Sequence, residues 1–132
     1  MKEIAQKLVT VEREVSLEKG IVSLFALVLR EDAPDLWDLL IAAPWIEANK
    51  EDAMKYIAGK LKDALTPQEL MTLSRIVVIK QDNPSLETLQ DAVHVEHGLM
   101  EIQDSMFFGL PIEHAYIITS QRPEKTAQTA SN

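Results

Sequence analysis

The longest apolar run of the chain lies at Ile21–Leu29, where only Ser23 interrupts it. Arranged as a strand, this run is apolar on both faces, with Ile21, Phe25, Leu27 and Leu29 on one side and Val22, Leu24, Ala26 and Val28 on the other. Such a strand is typical of the middle of a sheet that is covered on both sides. The pattern therefore predicts a central β-strand over Ile21–Arg30.

A second apolar segment follows a short polar turn. Glu31–Asp35 contains the Pro and Asp residues that favour turns. Leu36–Ala43 has the composition of a strand, which Pro44 ends. The short connection favours an antiparallel hairpin between the two strands.

Asp38 is the one charged residue inside this second strand. The expected hairpin register places it near Val28 and diagonal to Arg30. The favoured interpretation is an Arg30–Asp38 ion pair that fixes the register, and the alternative is a carboxylate that faces a pocket. Trp37 and Trp45 bracket the strand and are expected to fill the core, with an interface anchor as the alternative.

Three later segments begin with helix-start signals. Asn49 is a predicted N-cap, with acidic Glu51 and Asp52 in the first turn. Thr66-Pro67-Gln68-Glu69 combines a capping threonine, a first-turn proline and a glutamate at the third position. Another helix is predicted after Pro84.

The first eighteen residues fit two structures. Helical spacing relates four apolar residues, Ile4, Leu8, Val11 and Val15. The β-branched run Val9-Thr10-Val11 weakens the helix prediction. We therefore predict a helix over Lys2–Thr10 and leave Val11–Leu17 open between helix and strand.

The remaining apolar segments predict strands over Arg75–Lys80, His94–Gln103 and Glu113–Ser120. The predicted element order is α-β-β-α-α-β-α-β-β. Two hairpins on either side of a helical crossover require a mixed sheet. The expected fold is α+β (or α/β), a single domain with a mixed five-stranded sheet and about four helices. This domain spans residues 1–121, and the polar segment 122–132 is predicted to be a disordered tail.

Charge and composition narrow the expected partners and setting. Lys and Arg total 13 against 21 Asp and Glu, so this acidic protein has a net charge of −8. Binding to nucleic acid or to an anionic membrane surface is therefore disfavoured. Cysteine is absent, and the N-terminus has no secretory-type apolar region. We expect a cytoplasmic protein with no membrane association.

The histidines are the first candidates for chemistry. His94-Val95-Glu96-His97 is the densest polar cluster, but on a strand its side chains point to opposite faces, and the HExxH spacing is absent. His114 is expected opposite His97 or Glu101 on the neighbouring strand. Structural roles are the favoured interpretation, with acid–base chemistry by His97, Glu101 and His114 as the alternative. No metal or other cofactor is predicted.

An apolar segment, Met106–Pro111, separates the last two predicted strands, where polar turn residues are usual. It is expected either to fold onto the core or to form a docking surface or ligand lid. The predicted interaction residues are Met106, Phe107, Phe108 and Leu110.

No segment carries a motif that names a reaction, and only four glycines are present, none of them in a phosphate-binding loop. The leading hypothesis is a small soluble interaction or regulatory domain that self-associates, with a second copy or another protein as its partner. The alternative is a small-molecule-binding protein or hydrolase-type enzyme that uses the His94/His97/His114 hairpin.

Overall fold

The computed structural model describes residues 1–33 and 35–122. Within these residues the elements, in chain order, are α1 Lys2–Lys19, β1 Leu24–Arg30, β2 Trp37–Ala42, α2 Pro44–Ala48, α3 Lys50–Ala64, α4 Pro67–Thr72, β3 Leu73–Val78, α5 Pro84–Ala92, β4 Met100–Phe107 and β5 Leu110–Ser120. The fold is of the mixed α+β class, as predicted. None of the described helices is both long and apolar enough to cross a membrane.

The strands form one mixed sheet in the order β3-β2-β1-β5-β4. β2 and β3 run parallel, and the other neighbours are antiparallel. The parallel pair needs a crossover, which α2, α3 and α4 supply. β1 is the middle strand, so the prediction from its two apolar faces is confirmed.

Helices cover both faces of the sheet and create two cores. The first core lies between the sheet and the helices α1 and α3, and includes Leu8, Val15, Phe25, Leu27 and Ile57. The second lies between the opposite face and α5, and includes Leu24, Val28, Leu40, Leu86 and Ile117. Alternate residues of β1 therefore enter different cores, which accounts for the absence of polar residues between Leu24 and Leu29.

The N-terminal segment is one continuous helix. Val11 and Val15 are buried in the first core in register with Ile4 and Leu8. Burial of this stripe outweighs the weak helix propensity of the β-branched run. The segment left open, Val11–Leu17, is therefore helical.

The capping signals are also confirmed. The Asn49 side chain accepts a hydrogen bond from the Asp52 N–H. Thr66 and Glu69 form a complete capping box, in which each side chain bonds the other's backbone N–H.

Trp37 is buried in the first core, and Trp45 packs against that core while its Nε1 donates to the Ile21 carbonyl.

The predicted strand over His94–Gln103 is wrong in its position. β4 begins only at Met100 and continues to Phe107, and Phe108-Gly109 forms a two-residue turn into β5. The Met106–Pro111 segment is thus the tip of a hairpin and not a loop; we call Met106–Leu110 the hairpin tip. A further correction is small: β3 spans Leu73–Val78 instead of Arg75–Lys80. Apart from Arg122, the predicted tail lies outside the described residues.

The contact between α1 and α3 perturbs a tyrosine. The Tyr56 hydroxyl donates to Glu18, and the Lys60 ammonium lies 3.0 Å from the same carboxylate. Burial, and then the hydrogen bond to Glu18, raise the pKa of Tyr56 to about 12. A raised pKa in the folded state means that ionisation of Tyr56 opposes folding at high pH.

We expect Tyr56 to titrate near pH 12 instead of the ordinary value of 10.0. Its contribution to stability is complete below pH 10, and is lost as the pH rises towards 12. The near-ultraviolet absorbance of tyrosinate measures this titration, and a Tyr116→Phe background assigns it to Tyr56. Glu18→Gln should lower the pKa only in part, because burial is the larger cause. A midpoint at pH 10 would contradict the prediction.

Candidate functional site

The three histidines do not form a common site. Each lies beside its own glutamate: His94 Nε2 is 3.0 Å from Glu96, His97 Nδ1 is 2.5 Å from Glu12, and His114 Nε2 is 2.6 Å from Glu101. In residues 1–33 and 35–122, no three His, Cys, Asp or Glu side chains come close enough to hold a metal ion. A shared histidine pocket, the observation that would have favoured the enzyme hypothesis, is not present in this part of the chain.

His114 lies opposite Gln103, so neither expected register is correct. The turn of the β4–β5 hairpin lies one residue later in the chain than the register with His114 opposite Glu101 would require. Glu101 still reaches the imidazole diagonally, but its oxygen lies off the direction of a ring hydrogen bond, so the two groups are in close contact without an aligned hydrogen bond.

An aromatic cluster surrounds His114. Its ring stacks on Tyr116 with centroids 4.8 Å apart, and the Trp37 ring lies 5.7 Å away. Burial raises the pKa of the Tyr116 phenol, and the Glu101 carboxylate adds to the effect. The cluster packs at the edge of the first core, and His114 takes part in this packing.

His97 is bound to a carboxylate that the sequence interpretation missed. Glu12 of α1 is fully buried, and it accepts hydrogen bonds from His97 Nδ1 and from the Ser16 hydroxyl at 2.7 Å. The His97 N–H donates to the Thr119 hydroxyl, and the His97 backbone has a φ of 51°. A signal was present, because Glu12 lies one helical turn after Leu8 on the buried side of α1.

Asp38 marks a different site on the second face of the sheet. It lies opposite Val28, as predicted, and its Oδ2 is 3.4 Å from Arg30 Nε. It is also 3.2 Å from Nε of Arg75 on β3. The predicted Arg30–Asp38 pair is confirmed, and Arg75 is an additional partner that the parallel pairing of β2 with β3 brings close.

A small apolar cavity adjoins these three charges. Its volume is about 70 Å³, and its lining consists of Val28, Arg30, Asp38, Leu40, Arg75, Val77, Ile79, Phe107, Phe108, Leu110 and Ile112. A second space of about 240 Å³ lies between the hairpin tip and α5. Phe107 and Phe108 line both spaces. Three of the four predicted interaction residues therefore face the cavity, whereas Met106 is 64% exposed.

The turn at the hairpin tip is strained. Phe108 and Gly109 have φ values of 53° and 76°. Positive φ at both central residues is the requirement of a type I′ turn, for which Asn-Gly is the preferred sequence. A bulky residue in the left-handed region costs roughly 1–2 kcal/mol. Phe108 thus occupies a position where asparagine would fold at a lower cost.

The two edges of the sheet differ in character. β4 carries Glu101, Gln103 and Asp104, and the left-handed backbone of Asp104 disturbs the ladder, with a φ of 50°. Charges and irregular backbone of this kind prevent edge-to-edge association. β3 instead ends in an uncharged Ile76-Val77-Val78 run that is only half-buried. The β3 edge therefore lacks the protection that β4 has.

Comparisons with known proteins add no family to this description. No protein-family model matches the chain. No curated protein and no solved structure matches it either. The function is therefore inferred from the site geometry.

Proposed function

We propose that this protein is a self-associating interaction domain, and that two copies pair along β3. The observation that supports the proposal is the uncharged, half-buried stretch Ile76–Val78 of β3, whose outer backbone edge has no neighbouring strand in the sheet that the described residues form. An edge strand of this composition presents unpaired backbone groups to another chain. A second copy carries the same edge and satisfies those groups through a symmetric interface.

The backbone geometry specifies the pairing. The Ile79 N–H donates to the Ile41 carbonyl of β2 over 2.9 Å. Because backbone groups alternate in direction along a strand, the N–H and C=O groups of Ile76 and Val78 point away from β2. An antiparallel pair centred on Val77 would join Ile76 to the partner's Val78, and Val78 to the partner's Ile76.

We expect the protein to sediment as a dimer at micromolar concentration. The double variant Ile76→Lys/Val78→Lys should be monomeric, because each lysine would lie opposite another across the interface. The matching Ile76→Glu/Val78→Glu variant should also be monomeric. An equimolar mixture of the two should restore the dimer through Lys–Glu pairs. Analytical ultracentrifugation measures all four samples, with far-ultraviolet circular dichroism to verify folding.

Met106→Lys is the matched control, because Met106 is 64% exposed and belongs to the surface that the sequence indicated. It should leave the dimer intact. A dimer abolished by Met106→Lys but not by the β3 variants would assign the interface to the hairpin tip. A wild-type protein that stays monomeric would overturn self-association altogether.

We infer a cytoplasmic setting for this domain. The chain has no cysteine, so its stability rests on two apolar cores without disulfides. The excess of 21 acidic over 13 basic residues favours a protein partner over nucleic acid or an anionic membrane.

A further inference from the structure

We propose that the cavity beneath the hairpin tip binds a small carboxylate with an unbranched apolar chain. Arg75 would hold the carboxylate, and the chain would lie against the second face of the sheet under Phe108. This inference does not depend on self-association. It rests on the guanidinium donors of Arg75 at the mouth of the cavity, the apolar lining of the cavity and the strained turn above it.

The hydrogen-bond donors at the mouth of the cavity favour a carboxylate ligand. Two guanidinium groups, those of Arg30 and Arg75, share the single buried carboxylate of Asp38. The Asp32 carboxylate lies 3.7 Å from Arg30 and offsets the positive charge of that residue. Arg75 contacts Asp38 through Nε, and 52% of its side chain is exposed. Its remaining donors have the planar arrangement that binds a carboxylate with two hydrogen bonds.

The interior favours a short hydrocarbon. Apart from Arg30, Asp38 and Arg75, every residue that lines the cavity is apolar. Its volume of about 70 Å³ is less than half of the roughly 150 Å³ that accommodates benzene in an engineered cavity. Displacement of the Phe107 and Phe108 rings would join it to the space of about 240 Å³ beside α5. The combined space is at the lower end of the range of small-molecule sites.

The strained turn points to the same place. Strained residues persist where their side chains have a role that a less strained residue cannot fill. Phe108 lines both spaces, which places it at their common boundary. A phenylalanine at this turn is accounted for if its ring covers the hydrocarbon chain of the bound carboxylate.

The test is calorimetric titration of the full chain with butanoate, hexanoate and octanoate. We expect a Kd on the order of 1 mM for hexanoate, from the affinity that ligands of this size reach. Each added methylene should tighten binding about fourfold. Hexanol and hexylamine have the same chain without the anion, and they should bind at least tenfold more weakly than hexanoate.

Substitutions locate the site. Arg75→Gln should weaken hexanoate binding about tenfold or more, and Arg75→Lys less. Arg13→Gln, on the exposed side of α1, is the control and should have no effect. Val77→Phe should fill the cavity and abolish binding. Phe108→Asn should raise the thermal unfolding midpoint, because asparagine relieves the turn, and yet weaken octanoate binding.

Several outcomes would overturn the proposal. These are no binding of octanoate at millimolar concentration, equal binding of hexanol and hexanoate, and unchanged affinity in Val77→Phe. If circular dichroism shows that the Arg75→Gln variant is unfolded, the Arg75→Lys and Val77→Phe variants test the location of the site. Dimer formation is measured separately, so its absence would leave these results interpretable.

Discussion

Replacing His97 by alanine is expected to lower the free energy of unfolding by about 3–5 kcal/mol. Glu12 is fully buried, and within residues 1–33 and 35–122 its carboxylate is hydrogen-bonded only to His97 and Ser16. Without the imidazole, one oxygen of the Glu12 carboxylate would stay buried with no hydrogen-bond partner. The solvation free energy that this oxygen loses on folding would then not be offset by a hydrogen bond. Urea unfolding monitored by circular dichroism measures the change.

A double-mutant cycle separates the loss of the Glu12–His97 interaction from other consequences of the His97 substitution. Glu12→Leu/His97→Ala removes the buried charge together with its partner, so it should recover most of the lost stability. His97→Gly tests the backbone, because glycine adopts the φ of 51° without strain. If His97→Ala costs less than 1 kcal/mol, or the double variant is the least stable of the set, the role assigned to the Glu12–His97 pair is wrong.

The second large effect concerns the two faces of β1. Leu24 and Leu27 are both fully buried, Leu24 in the second core and Leu27 in the first. Leu→Ala at either position should cost about 2–5 kcal/mol, from lost burial and the cavity left behind. Similar losses at both positions are expected only if the sheet is covered on both sides.

Leu17 provides the matched control for this pair. It is 88% exposed on α1, so the same Leu→Ala change should alter stability by less than about 0.5 kcal/mol. Chemical denaturation of the three variants under one set of conditions gives the comparison. A small loss at Leu24 with a large loss at Leu27 would mean that α5 does not cover the second face.

Both functional proposals involve β3 but use different parts of it. Self-association uses the outward backbone groups of Ile76 and Val78, at the edge of the sheet. The ligand cavity uses the side chains of Arg75 and Val77, on the second face. Because edge and face are distinct surfaces, separate substitutions test them. The cavity side chains and the edge nevertheless belong to one short strand, so the proposed ligand would lie close to the proposed dimer interface.

Features that depend on nearby residues could be predicted from the sequence. The apolar faces of β1 required a central strand, and the Thr66–Glu69 spacing required a capped helix. The register of Asp38 with Val28 followed from a short turn between two strands. In each case the partners are close along the chain, so local geometry and burial suffice to place them.

Other features could not be predicted because their partners are far apart in sequence. Glu12 and His97 are 85 positions apart, and only the packing of α1 on β5 brings them together. The pairing of Arg75 with Asp38 required the parallel alignment of β3 with β2. The position of β4 depended on where the chain turned, and no Asn-Gly signal marked the strained Phe108–Gly109 turn.

The sequence by itself determined a mixed sheet with β1 at its centre and identified the hairpin-tip residues as unusual. Periodicity and burial are sufficient for that, because they act through the side chains of each element. Only the tertiary structure decided that Phe107, Phe108 and Leu110 meet Arg30, Asp38 and Arg75 around one cavity. That arrangement depends on strand order, register and a backbone conformation that opposes local preference, and the sequence pattern of a single element does not encode these.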